Sequence, residues 1–256
     1  KNLHTLTKQC FKIMISNLIG GLKAYLEAYE VISRLKLWRF FMIPMLISVV
    51  VFLSIVLISI SFSEVIGLYI SSFWSWDFGK ETINTISKIL GGIILISIGL
   101  IVFKHLIMIL SAPFMGPISK KIEDDFTGVT SKTQVSSPST LILRSIKISS
   151  RNLFRELLFS LPILLLGLIP FIGFFSFILL FLMQAYFAGF GNMDYTLERH
   201  FSYQKSIQFV KVNKGIAIGN GLVFMLFLLI PFVGVIFIIP FSVTSATIAT
   251  VKIINQ

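Results

Sequence analysis

The chain has 256 residues, 55% of them hydrophobic and only 13% charged, with a formal net charge of +11. A soluble domain carries about a quarter of its residues charged, so an ordinary water-soluble core is excluded and a membrane protein is expected. The basic residues flank apolar runs instead of forming one basic domain, which fits membrane-flanking loops and not nucleic acid.

Cys10 is the lone cysteine, so neither an internal disulfide framework nor a multi-thiolate metal site is available. His4, His105 and His200 show no ligand-like spacing, and no phosphate-cradling Gly-rich loop, paired-carboxylate site or Ser/His/Asp arrangement is present. The expectation is a protein with no catalytic residues, no metal and no cofactor.

In chain order, apolar residues first recur at Leu3, Leu6, Cys10, Met14, Leu18, Leu22, Tyr25 and Tyr29, with Lys8, Lys12, Lys23 and Glu27 off the stripe. This spacing predicts an amphipathic helix within residues 1–39, either on the membrane surface or packed on the protein's own core. Residues 40–62 form a charge-free run of 23, long enough for a hydrocarbon core of about 30 Å, with Pro44 in its first turns. No cleavable leader is expected ahead of it, so this run is predicted to insert the chain. A second spanning run is expected at 89–111, and it contains Lys104 and His105. Between the two lie Trp74 and Trp76, with Tyr69 nearby, aromatics suited to the headgroup level.

Hydropathy collapses after Ala112-Pro113-Phe114-Met115-Gly116-Pro117, and 112–156 reads as a polar, partly helical extension with a Ser/Thr-rich loop at 127–140. Two 37-residue windows without a charged side chain follow, 157–193 and 215–251. Each breaks at its middle: Ile169-Pro170-Phe171-Ile172-Gly173 and Ile230-Pro231-Phe232-Val233-Gly234, repeated 61 residues apart. Two full spans and a turn need roughly 40 or more residues, so each window is predicted to be a re-entrant hairpin whose turn is buried in protein or lines a wet cavity; two tight spans are the alternative. Residues 1–39 carry seven Lys/Arg, 104–156 eight and 192–214 four, against two in 63–88. The positive-inside rule then predicts both termini in the cytoplasm.

Four ordered stretches resemble the CysZ family of bacterial sulfate permeases, which groups with the eukaryotic etoposide-induced membrane proteins. They are Trp38-Arg39-Phe40 with Ile43-Pro44-Met45-Leu46; Ala112-Pro113-Phe114-Met115-Gly116 with Glu123 and Thr127-Gly128; Arg155-Glu156 before Leu161-Pro162 and Ile169-Pro170-Phe171-Ile172-Gly173; and Ile230-Pro231 with Pro240 and Ala246-Thr247. The resemblance spans roughly residues 20–252. It implies an all-α integral membrane fold, two long transmembrane helices plus two partially penetrating hairpins, assembled as homo-oligomers in the bacterial inner membrane. The implied activity is sulfate passage.

The resemblance also implies an anion site where the chain enters the first span, at Arg34, Lys36, Trp38 and Arg39. Forked arginine donors and a helix N-terminus suit an oxyanion. Only Arg39 matches the family's Gly-Leu-Arg-type stretch outright; Lys36 stands for its glycine and Trp38 for an arginine. The plainer reading makes Arg34, Lys36 and Arg39 interfacial anchors. Lys104 is a candidate pathway residue or a snorkelling lysine, and Glu156 a candidate coupling residue or a structural ion-pair partner. The altered motif and the basic loop at 127–155 leave a second function open, a non-transporting scaffold that binds partners.

Overall fold

Sustained helical periodicity, interrupted only at Pro/Gly or polar breaks, makes this chain all-helical among its described residues. The computed structural model describes residues 3–72, 80–128, 136–167, 172–230 and 233–255. They form α1 (Leu3–Arg34), α2 (Trp38–Ser71), α3 (Lys80–Thr127), α4 (Pro138–Gly167), α5 (Ile172–His200), α6 (Tyr203–Val212), α7 (Lys214–Leu228) and α8 (Val233–Ile254). Trp74 and Trp76, residues 129–135 of the Ser/Thr-rich loop, and the turns at 168–171 and 231–232 lie outside the described residues.

Among the described residues, four stretches are long and apolar enough to cross a membrane: Trp38–Ser71, Ile101–Thr127, Gly173–His200 and Ile236–Ile254. The helices outrun the apolar runs that nucleate them. α3 has 48 residues, about 70 Å of helix, and continues through Pro113 and Pro117 where the sequence suggests a boundary. Side chains of α5 reach the backbone beside these prolines: the Tyr195 hydroxyl donates to the Met108 carbonyl (2.6 Å) and Arg199 to that of Gly116 (3.2 Å). Residues 192–214, read from charge as a loop, are also mostly helical; α5 runs to His200, and α6 turns into α7 through 87°.

α2 and α3 lie along one another, with Phe52 edge-on to Phe103 at 6.3 Å between centroids. α1 packs on α7 and α8, burying Ala24, Ala28 and Ile32. One side of the helix is thus packed on the protein's own core, while Ile15, Ile19, Leu26 and Tyr29 stay exposed on its outer side. α8 is largely buried at the centre, while α2 exposes most of its apolar surface.

Small residues set the closest approach. A Cβ on Gly189 would sit 1.8 Å from the Ala217 carbonyl oxygen, and one on Gly221 only 1.7 Å from that of Ala185. Ala185 and Gly189 of α5 thus mesh with Ala217 and Gly221 of α7, a small-x-x-x-small pair that lets two backbones touch where lipid supplies no hydrophobic drive.

Candidate functional site

The link between α1 and α2 is a Schellman turn. The Leu37 N–H donates to the Ile32 carbonyl (2.9 Å) and the Lys36 N–H to that of Ser33 (3.2 Å), with Leu37 and Ile32 both fully buried. Lys36 takes the left-handed position at φ 52°, a place that favours glycine. α2 then starts after Leu37 without a side-chain cap; the Leu37 and Phe40 N–H groups bond the Ile32 and Leu37 carbonyls (each 2.9 Å), and the positive end of the helix dipole lies at Trp38 and Arg39.

The four predicted anion residues do not converge as one cluster around this start. Arg34 pairs with Asp125 at the end of α3, and both side chains retain exposure. Trp38 turns inward, edge-on to Phe237 (6.1 Å) and Phe241 (6.0 Å) of α8. Lys36 and Arg39 remain exposed, with the Arg39 guanidinium 4.8 Å from the centre of the Phe40 ring. Lys121, which sequence reasoning passed over, brings its ammonium 5.2 Å from the same ring.

The second cluster is deeply buried. Lys104 does not snorkel: it faces inward, fully enclosed, and its ammonium donates to Glu156 Oε1 of α4 at 2.5 Å. The other carboxylate oxygen, Oε2, lies 3.2 Å from His105 Nε2. α3 offered two neighbouring nitrogen groups, and α4 answers both with one carboxylate. A lysine eight residues from the end of an apolar run reaches water only if its helix face does. Here that face is covered by α4.

Further polar residues occupy the helix contacts. Glu123 receives Arg199 (2.7 Å) and lies 2.7 Å from His200 Nε2, while Ser119, Thr196 and Thr247 join α3, α5 and α8 at 2.9–3.1 Å. Asn220 of α7 accepts from Asn192 and donates to the Ser242 carbonyl, each at 2.9 Å. Arg144 of α4 grips Asp194 with a two-pronged contact (2.8 and 3.0 Å) and also bonds Phe201 O and Ser206. Burial alone would lower the Arg144 pKa, but the Asp194 bond and charge outweigh it and hold it above the ordinary value. Asn192, Thr196 and Arg199 recur at i, i+4 and i+7, and that periodicity is the signal from which this set was legible. The small void beside Asn192 and Tyr195 is too tight for a water molecule. No group of three or more metal-ligating side chains occurs among the described residues.

The arrangement combines exposed cations at the start of α2 with a buried interior of neutral donors and paired charges. Residues 24–239 match the family model described as Sulfate transporter CysZ/Etoposide-induced protein 2.4. The chain belongs to this family. No curated protein matches it individually. Membership makes it a protein of a membrane transporter family and gives the apolar stretches of α2, α3, α5 and α8 their setting.

Proposed function

We propose that this chain carries sulfate or a related oxyanion across the bacterial inner membrane as a homo-oligomer, without covalent catalysis. The observation that carries the reading is the uncapped start of the 34-residue α2 with Arg39 exposed beside it. Backbone N–H groups and a guanidinium there supply the donors that an oxyanion needs. Lys36 and Lys121 add long-range attraction, and Arg34 joins them when released from Asp125. Lys104 takes no part in this reading, because it is enclosed with Glu156 away from the α2 start.

The same reading takes α2 and α3 as full spans, with α4–α5 and α7–α8 as hairpins returning to the cytoplasmic side, where both termini lie. α7 supports this: its 15 residues reach about 22 Å, short of a core of about 30 Å.

The test is sulfate-dependent thermal stabilisation of the purified protein and labelled-sulfate flux in liposomes, with phosphate in parallel. Arg39→Ala is expected to reduce both sulfate effects about tenfold, the loss of one charge-assisted contact. Neither binding nor flux in the wild-type protein would sink the proposal. A scaffold role is the second reading, favoured by Trp38 serving as a packing residue and Arg34 being answered by Asp125. A stable partner complex with no ion flux selects it.

A further inference from the structure

A groove of about 400 Å³ runs between α4, α5 and α7, within the size range of ligand sites. Phe159, Leu179, Leu182, Met183, Phe187 and Ile218 make its walls apolar, and Lys214 also lines it. Tyr186 lines it too and lies in the field of Arg151 and Arg155, which precede Phe159 on α4.

These cations lack counter-charges. Among the described residues, Arg151, Arg155 and Lys214 form no ion pair with a carboxylate, and the Arg151 side chain bonds only the Asn152 amide oxygen (2.8 Å) while stacking over Phe190 at 5.4 Å. Burial first, and the nearby Arg155 charge second, lower the Arg151 pKa, only partly offset by Tyr203 and Tyr186. Glu156, the nearest acid in sequence, has both oxygens committed to Lys104 and His105. The groove along α1 and α8 differs, because Glu27 answers Lys252 there at 2.7 Å.

We infer that this groove is a binding site for an anionic phospholipid, its acyl chain lying along the α5 and α7 walls and its phosphate held by Arg155, Lys214 and Arg151. An apolar slot lined by one lysine, with two further cations acting on its Tyr186, complements such a lipid in both its chain and its phosphate. A zwitterionic lipid would leave these cations unsatisfied, and a soluble anion would leave the walls unused.

The experiment is native mass spectrometry and thermal stability of the full chain, titrated with phosphatidylglycerol, phosphatidylcholine or inorganic phosphate. Phosphatidylglycerol is expected to be retained and to stabilise, with the other two well behind. The double variant Arg155→Gln/Lys214→Gln is expected to weaken retention roughly ten- to thirty-fold, as two lost surface charges imply. Lys252→Gln and Arg39→Ala are expected to leave it unchanged, which separates this site from the sulfate reading. Equal retention of both lipids, full retention by the double variant, or an equal effect of free phosphate would each overturn the proposal. Elution of the double variant as the wild-type species confirms that the change is not misfolding, since Lys214 is exposed and Arg155 only half-buried.

Discussion

Replacing Glu156 by glutamine keeps the side chain's shape and removes its charge. Lys104 would then hold an ammonium at 1% side-chain exposure with no carboxylate within reach. Breaking a buried pair from one side costs about 3–5 kcal/mol, because the remaining charge has lost both water and partner. For a chain of this size, each kcal/mol moves the unfolding midpoint by about 2–4 °C, so Glu156→Gln should lower Tm by about 6–20 °C. Lys104→Met should cost less, since Glu156 keeps His105 at 3.2 Å. The double variant Lys104→Met/Glu156→Gln removes both charges and should recover much of the loss, as neutral replacements of buried pairs often do. The assay is thermal unfolding in one detergent, followed by monodisperse elution, for wild type, both single variants and the double variant. A Glu156→Gln midpoint within about 2 °C of wild type, or a double variant equal to the sum of the singles, would refute a dry, coupled ion pair.

Two further outcomes are expected from the backbone. Gly189→Ala and Gly221→Ala should each destabilise by more than about 3 kcal/mol, because the added carbon overlaps a carbonyl oxygen of the facing helix. Gly20→Ala, where nothing lies within 4 Å, should instead stabilise by up to about 1 kcal/mol, so similar losses in all three would defeat the close-packing argument. Lys36→Gly should gain about 0.5–1 kcal/mol by relieving the left-handed backbone at φ 52°. The same change should sharpen sulfate-dependent stabilisation, since a glycine lets an anion approach the α2 start. A loss of stability in denaturant titration would count against the strained-turn reading.

Much of the membrane character is legible without any contact being known. Charge-free windows and flanking lysines and arginines are sums along the chain, and a bilayer responds to such sums. The amphipathic stripe ending in Tyr29 likewise announces α1, and the repeated Pro-Phe breaks mark where α4 gives way to α5 and α7 to α8. Helix ends are less legible. α3 passes Pro113 and Pro117 with α5 bonded to its backbone at Met108 and Gly116, and a proline's cost depends on tertiary surroundings that local sequence does not name.

The candidate site divides in the same way. Arg39 and Lys36 are exposed because they sit in a polar link, a local fact that sequence conveys. Trp38 is a different matter: its ring is placed by Phe237 and Phe241, some two hundred residues away along the chain. The contrast is sharpest at Lys104, which hydropathy reads as snorkelling or lining a pathway. Only the placement of α4 over that face of α3, with Glu156 at 2.5 Å, decides for burial. The amino-acid sequence alone determined that the chain enters a membrane and where its apolar runs lie. Which polar groups meet inside was decided by helix rotation and packing, because those pairs join residues on different helices, 22 positions apart at Asn220–Ser242 and 77 at Ser119–Thr196.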